Sequence, residues 1–284
     1  MENWHLRFGV TSNCNFRCKY CNSHNTNSED MSDKDIKEIL EAAISNGVKR
    51  VHWTGGEPLL KRNICDYMKY AKELGYEEQS MTTNGFFLEK MAESLKDSGL
   101  SRINVSLDTM DREKFKNIVG IDSLDRVISG IEKMIETSDC LIKINMVVMK
   151  DNLNEVTDFI KYAIKQNEKY KKERIIIRFL QFFPCNPNQL EKDGQKFWVN
   201  EYITETNILD EVKKLGDIKE ICDIDMYPHA SSELKEHLEN FKAALEKCKD
   251  LGIEVEEVSI DQTLLNALAS VYVVISCAEA TSNM

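Results

Sequence analysis

The sequence predicts an α/β fold: a partial (βα)6 barrel of parallel strands with a small C-terminal α/β appendage. First, six apolar segments of strand length alternate with amphipathic segments of helical length. Second, a helix precedes every strand after the first, as parallel connections require. Third, the motifs that could bind a cofactor or carry out chemistry directly follow strands. Parallel barrels place their active sites at the C-terminal ends of the strands.

The six predicted strands are the apolar segments at 6–10, 50–54, 79–83, 102–107, 141–149 and 174–183. The first helix should begin after Ser32, whose side chain suits an N-cap, and end at Asn46-Gly47. The later helices are expected to run up to Gly75, then over 87–99, over 111–138 with a break near Gly120, over 152–170 and over 204–215.

Two domains are expected. Residues 1–222 contain the barrel, which ends near residue 185, and a short extension. Residues 223–284 contain 12 acidic and 4 basic side chains, so this tail holds −8 of the formal net charge of −11. The change in composition predicts a domain boundary.

Composition excludes several classes of function. A net charge of −11 does not favour binding to a nucleic acid backbone, which requires Lys and Arg. No apolar run is long enough to cross a bilayer, and the start of the chain has no signal-peptide pattern. We therefore expect a cytoplasmic protein that binds neither nucleic acid nor membrane. In a reducing compartment, clustered thiols are more often metal ligands than disulfides.

The densest cluster is C-x3-C-x2-C, formed by Cys14, Cys18 and Cys21 after the first strand. Thiolates favour zinc or iron–sulfur clusters. His24 would complete a four-ligand zinc site. Alternatively, three thiolates can hold a [4Fe–4S] cluster and leave one iron open. The cysteines alone leave both interpretations open.

The neighbours of the cysteines strengthen the second interpretation. Tyr20 precedes the third cysteine, and Gly55-Gly56-Glu57-Pro58 follows the second strand. Together these motifs resemble the radical S-adenosylmethionine (radical SAM) superfamily. The resemblance implies that the three cysteines bind a [4Fe–4S] cluster and that S-adenosyl-L-methionine is cleaved to a 5′-deoxyadenosyl radical. It also implies that Tyr20 lies against adenine and that Gly55, Gly56 and Glu57 meet the methionyl amino group.

Within the superfamily, the chain is most similar to the GTP 3′,8-cyclase of molybdopterin (molybdenum cofactor) biosynthesis, over about residues 4–215. The matching segments include LRFGVTSNCNFRCKYC, VHWTGGEPLLKRN, MTTNGFFL, SRINVSLDTMDREKF and IKINMVV. The resemblance implies that Arg7, Thr82 and Lys143 contact GTP and that Ser106 contacts S-adenosyl-L-methionine. It further implies a small-molecule substrate and a one-electron donor protein.

The chain departs from the cyclase in four features. His52 replaces an Arg of the family, and Phe183 replaces a Met that packs on the cofactor in the family. The cysteines of a second, C-terminal cluster are missing, as is the Arg-rich stretch beside it. The later cysteines are dispersed and are expected to be small buried hydrophobes: Cys185, Cys222, Cys248 and Cys277.

The tail has a different resemblance. Residues 233–284 are similar to an internal fragment of the amidase-signature family, particularly the A subunit of glutamyl-tRNA amidotransferase. The Lys and the serines that amidase chemistry needs are not all present, so we expect no amidase activity. A truncated or fused reading frame is our hypothesis. Two alternatives to the cyclase function follow: a radical SAM enzyme for another nucleoside, sugar or small molecule, and a non-catalytic iron–sulfur fragment.

Overall fold

The computed structural model describes residues 5–21, 30–171, 174–182 and 200–215. Six parallel strands form one sheet in the linear order β1 to β6. They are β1 (His5–Gly9), β2 (Arg50–Thr54), β3 (Glu78–Thr83), β4 (Arg102–Ser106), β5 (Leu141–Val148) and β6 (Ile175–Gln181). The linear order and the alternation with helices confirm the predicted α/β open barrel.

Helices connect consecutive strands, and one further helix follows the last strand. They are α1 (Asp33–Ser45), α2 (Ile64–Leu74), α3 (Leu88–Asp97), α4 (Arg112–Val119), α5 (Leu124–Thr137), α6 (Val156–Tyr170) and α7 (Glu205–Lys213). Short 3₁₀ turns at Pro58–Leu60 and Leu153–Glu155 precede α2 and α6. Right-handed crossovers between neighbouring strands place such helices on one side of a sheet.

The two sides of the sheet therefore differ. Along β5, buried residues such as Ile142 and Ile144 alternate with partly exposed residues such as Lys143 and Asn145. The buried positions supply the apolar core against the helices, as Trp53, Met81 and Ile103 do on β2, β3 and β4. The alternate positions form what we call the polar face. Its members include Arg7, His52, Ser80, Thr82, Arg102, Asn104, Ser106, Lys143, Asn145 and Arg178.

The predicted helix ends are confirmed. The Asp35 amide donates to Ser32 Oγ at 3.2 Å, and the Asp35 carboxylate accepts from the Ser32 amide in return, which is a capping box. Asn46 is the C-cap of α1. Gly120 ends α4 with a φ of 85°, a left-handed conformation that glycine tolerates.

Several predictions fall outside the described residues. These concern His24, Phe183, the four dispersed cysteines and the tail, so the division into 1–222 and 223–284 stays a prediction. Within the described ranges, no helix combines the length and apolar character needed to span a membrane.

Candidate active site

The loop that carries the three cysteines, residues 14–21, is held by backbone hydrogen bonds to the end of α4. The Arg17 amide donates to the Val119 carbonyl at 2.9 Å, and the Lys19 amide donates to the Ile118 carbonyl at 3.0 Å. Arg17 Nη1 also donates to the Cys14 carbonyl at 2.5 Å. Because β1 leads directly into this loop, the three thiols lie at the C-terminal ends of the strands.

The GGEP segment packs directly against the start of this loop. The Gly56 amide donates to the Thr11 carbonyl at 2.7 Å, and the Glu57 amide donates to the Asn13 carbonyl at 2.8 Å. A Cβ atom on Gly56 would lie 2.3 Å from the Asn13 carbonyl oxygen, and one on Gly55 would lie 2.4 Å from that of Thr11. The two glycines are therefore required for the contact between the loops. Their predicted contact with S-adenosyl-L-methionine stays a prediction.

Glu57 joins the ends of β2 and β3. Its fully buried carboxylate accepts hydrogen bonds from Thr83 Oγ1 at 2.7 Å, from the Asn84 amide at 2.7 Å and from the Leu59 amide at 3.0 Å. Burial raises the pKa of Glu57 to about 7, against the opposite effect of these donors. Because the carboxylate has three protein partners, it stabilises this rim, and its predicted cofactor contact stays a prediction.

Tyr20 connects the cysteine loop to two further strands. Its hydroxyl donates to Asp108 Oδ2, and Asp108 Oδ1 accepts from the Val147 amide at 2.9 Å. The Tyr20 ring lies edge-on to Phe182, with 6.0 Å between centroids. Burial raises the pKa of Asp108 to about 6, against the lowering effect of these donors. Asp108 therefore anchors the aromatic ring whose stacking on adenine the sequence predicts.

We expect Tyr20→Phe to lower the free energy of unfolding by about 1–3 kcal/mol, because the buried Asp108 oxygen loses its donor. Urea denaturation of the apo-protein under anaerobic conditions measures the change. Tyr70→Phe is the matched control, since the Tyr70 hydroxyl donates to the exposed Glu41 and its loss should have no resolvable effect. Equal effects of the two variants would contradict the anchoring role of Asp108.

Asn84 is a residue of this site to which the sequence analysis assigned no role. Its Nδ2 lies 3.9 Å from Cys14 Sγ and donates to Asn15 Oδ1 at 2.9 Å. The Phe16 amide also donates to Cys14 Sγ, at 3.4 Å. Hydrogen bonds to ligating sulfurs tune the reduction potential of iron–sulfur clusters. The only sequence signal for Asn84 is its place directly after the third strand.

The three thiols suit a cluster. Burial raises the pKa of Cys14 and Cys18, and the neighbouring carboxylates add to the effect. Bound iron would offset the cost of deprotonating these buried thiols by supplying positive charge next to the thiolates. Across the described ranges, no three His, Cys, Asp or Glu side chains are arranged around a single ion. A [4Fe–4S] cluster needs no such convergence, since each thiolate binds a different iron.

The predicted substrate residues meet on the polar face. Arg7 lies opposite His52 in the β1–β2 register, and Thr82, Asn104 and Lys143 are register partners across β3, β4 and β5. Ser106 lies two residues beyond Asn104 on the same face, at the end of β4. The sheet therefore brings Arg7, Thr82, Ser106 and Lys143 to one surface, below the cysteine loop.

Positive charge on the polar face is only partly neutralised. Arg102 pairs with Glu78 at 3.0 Å, whereas Lys143 and Arg178 form no ion pair with any carboxylate in the described part of the chain. The pKa of Lys143 is lowered by burial and then by the charges of Arg178 and Arg102. Side chains that repel one another in this way favour an anionic ligand, which would relieve the repulsion.

His52 occupies the middle of this face. Its Nδ1 lies 2.8 Å from Ser80 Oγ, and its Nε2 lies 2.8 Å from Thr82 Oγ1. Asn104 Nδ2 donates to the same Thr82 oxygen at 3.2 Å. Burial, followed by the charges of Arg7 and Arg102, lowers the pKa of His52 to about 3. The ring is therefore neutral near pH 7, and it contributes hydrogen bonds where an arginine would contribute charge.

His52 should make stability depend on pH. Its folded pKa lies below the value of 6.5 for the unfolded chain, so its stabilising contribution is present above pH 6.5 and is lost as the pH falls towards 3. Between pH 6.5 and 5 we expect the wild type to lose about 2 kcal/mol relative to His52→Gln. Urea denaturation of both apo-proteins across pH measures the difference. A difference that stays constant with pH would contradict the neutral buried ring.

Comparison with known proteins supports the interpretation of this site. Residues 9–163 match the family model described as the radical SAM superfamily. A probable GTP 3′,8-cyclase of Saccharolobus islandicus is 37% identical over 214 residues, which cover 74% of this chain and 67% of that protein. The probable GTP 3′,8-cyclase of Archaeoglobus fulgidus is 42% identical over 182 residues, which cover 63% of this chain and 61% of that protein.

Solved structures share the fold over part of their length. Streptococcus suis SuiB bound to S-adenosylmethionine is 25% identical with a TM-score of 0.51, covering 62% of this chain and 38% of SuiB. anSMEcpe with bound AdoMet and peptide is 19% identical with a TM-score of 0.57, covering 74% of this chain and 58% of that protein.

The family match confirms the cofactors inferred from the cysteine motif, a [4Fe–4S] cluster and S-adenosyl-L-methionine. It also confirms an enzyme that acts with an electron donor on a small molecule. The individual residues predicted to hold cofactor and substrate stay predictions. This chain belongs to the radical SAM superfamily and resembles the GTP 3′,8-cyclases of molybdenum cofactor biosynthesis.

Proposed function

We propose that this chain performs radical chemistry on an anionic nucleotide, with GTP as the first candidate. When bound, the cluster and S-adenosyl-L-methionine supply a 5′-deoxyadenosyl radical that abstracts hydrogen from the substrate. Cys14, Cys18 and Cys21 would hold the cluster. Tyr20, Gly55, Gly56, Glu57 and Ser106 would surround S-adenosyl-L-methionine, and Arg7, Thr82 and Lys143 would bind the substrate.

The observation that carries the proposal is the incompletely neutralised positive charge on the polar face, next to the cysteine loop. Lys143 and Arg178 lack carboxylate partners within the described ranges, and burial together with neighbouring arginines lowers the pKa of Lys143. Phosphate oxygens would compensate these charges. Lys143 and Arg178 lie on the polar face, next to the cysteine loop that carries the thiols. GTP supplies such oxygens, and the curated relatives are probable GTP 3′,8-cyclases.

The test is anaerobic. The full chain is reconstituted with iron and sulfide, its iron is quantified, and 5′-deoxyadenosine is measured after dithionite and S-adenosyl-L-methionine are added, with and without GTP. About four iron atoms per chain and release stimulated by GTP would support the proposal. Four iron atoms with release that GTP does not change would keep the radical chemistry and refute GTP as the substrate.

A second candidate is a radical enzyme for another nucleoside or a sugar. The observation that favours it is His52, which is neutral where the cyclase family has an arginine, so this face carries one positive charge fewer. Release of 5′-deoxyadenosine stimulated by a nucleoside or sugar phosphate, and not by GTP, would identify this function.

We expect a one-electron donor protein to reduce the cluster, a cytoplasmic location, and no amidase activity from residues 223–284. Sequencing the genomic locus tests the hypothesis of a fused or truncated frame. A continuous frame that runs into a full amidase would support a fusion, and an ordinary cyclase C-terminus at that place would refute it.

A further inference from the structure

The polar face contains a hydrogen-bond chain whose direction follows from the contacts at one end. It runs across three strands through Ser80, His52, Thr82 and Asn104. At one end, Ser80 Oγ accepts from Arg102 Nη2 at 3.4 Å and donates to the Val51 carbonyl at 3.5 Å. With both of these long contacts in place, the Ser80 proton points to Val51, because an arginine can only donate and a carbonyl can only accept.

This end determines the tautomer of His52. Because Ser80 uses its proton on Val51, its oxygen must accept from His52, and Nδ1 therefore carries the hydrogen of the neutral ring. The other ring nitrogen, Nε2, is then an acceptor. Among the described residues, the group that Nε2 contacts is Thr82 Oγ1 at 2.8 Å, so the Thr82 hydroxyl donates to the ring.

The direction continues to Asn104. Since the Thr82 proton is used on His52, the Thr82 oxygen accepts from Asn104, which must present its NH₂ group to Thr82. Asn104 Oδ1 consequently points away from the chain. It is buried and has no partner among the described residues, and the same holds for Asn145 Oδ1 on the adjacent strand.

Two orphaned acceptors on neighbouring strands require an explanation, because buried polar atoms are normally hydrogen-bonded. Asn104 is the register partner of Lys143, and Asn145 lies two residues further along the same face of β5. Strands lie about 4.8 Å apart and rise about 3.3 Å per residue, so the two residues are diagonal neighbours with Cα atoms about 8 Å apart. They lie next to Lys143 and Arg178, neither of which forms an ion pair with a carboxylate in the described part of the chain.

We propose that His52 is a positioning residue for specificity: through Thr82 it orients Asn104 so that Asn104 Oδ1 and Asn145 Oδ1 accept from a pair of adjacent donors on the substrate. The inference rests on the proposed nucleotide function and deepens it. Two parts of a guanine nucleotide carry such donors, the sugar hydroxyls and the N1–H with the 2-amino group of the base. An arginine at position 52 could not accept from Thr82, so this orientation would be lost.

Anaerobic calorimetry on the reconstituted full chain tests the inference. The ligands are GTP, 2′-deoxy-GTP and 3′-deoxy-GTP, which remove sugar donors, and inosine triphosphate, which lacks the amino group. In the wild type we expect removal of the recognised donor to weaken binding about 10-fold, and the analogue concerned identifies its source. The quantity to compare among variants is the ratio of the dissociation constant of the analogue to that of GTP. A purely structural defect weakens the binding of GTP and its analogues alike and leaves this ratio unchanged.

Four variants test the chain. His52→Phe and Asn104→Leu should reduce the ratio to about 1, since they break the chain or remove the acceptor. His52→Gln should retain the ratio, because its Oε1 can accept from Thr82. Asn154→Leu, on an exposed residue, is the matched control and should also retain it.

Three results would overturn the inference. One is a wild-type ratio near 1, and another is a ratio that survives in His52→Phe or Asn104→Leu. The third is a ratio that collapses in His52→Gln as it does in His52→Phe. If none of the four nucleotides binds although 5′-deoxyadenosine is produced, the proposed substrate class itself is refuted, and the inference with it.

Discussion

Cys18→Ala is expected to reduce the iron of the reconstituted protein from about four atoms per chain to below one and to abolish release of 5′-deoxyadenosine. Cys18 is the middle cysteine of the motif, and neighbouring carboxylate charge from Asp108 adds to the burial that raises its pKa. Two remaining thiolates cannot hold a cluster that needs three. Iron analysis and the anaerobic cleavage assay measure the two effects.

Cys65→Ala is the matched control for this experiment. Cys65 is a free, partly buried thiol on α2, away from the cysteine loop, and burial raises its pKa as well. Its loss should leave the iron content unchanged. One zinc per chain in the wild type, retained without iron after reconstitution, would contradict the cluster and return His24 to consideration as a fourth ligand.

Gly56→Ala should be strongly destabilising. The new Cβ would lie 2.3 Å from the Asn13 carbonyl oxygen and 2.6 Å from that of Ser12. Both are backbone atoms next to Cys14, so neither can move without displacing the cysteine loop. We expect a loss of about 3 kcal/mol in the free energy of unfolding, together with reduced iron incorporation. Urea denaturation and iron analysis measure these quantities.

Gly9→Ala provides the comparison, because its Cβ would meet only the Gly55 Cα, at an ordinary 3.9 Å. It should change the stability by less than about 1 kcal/mol. If Gly56→Ala were as stable as Gly9→Ala and bound iron normally, the close contact between the GGEP segment and the cysteine loop would be wrong.

Local patterns were enough to predict most of the fold. The capping residue Ser32 and the break at Gly120 act on their own helices through bonds to residues nearby in sequence, so the sequence contains the whole interaction. For the helix expected to end at Gly75 the sequence set no start, and the structure supplies it: Pro58–Leu60 forms a 3₁₀ turn and α2 starts at Ile64. Boundaries of this kind depend on packing as well as on pattern.

The partners within the site could not be predicted in the same way. Tyr20 and Asp108 are 88 residues apart in the chain, and His52 and Thr82 are 30 apart. The register of the sheet brings His52 and Thr82 together, and the placement of the cysteine loop at the strand ends brings Tyr20 to Asp108. In the sequence, His52 is only the replacement of a family arginine, and the structure adds the two hydroxyls that this ring joins.

By itself, the sequence determined the alternation of strands and helices, the cysteine motif and the membership of the superfamily, because each is written in the spacing of neighbouring residues. The tertiary structure decided which side chains are already occupied and which are left for a ligand. Glu57 is occupied by Thr83, Asn84 and Leu59, whereas the oxygens of Asn104 and Asn145 are left without partners among the described residues. The physical reason is that a hydrogen bond depends on distance in space, which the register of distant strands sets.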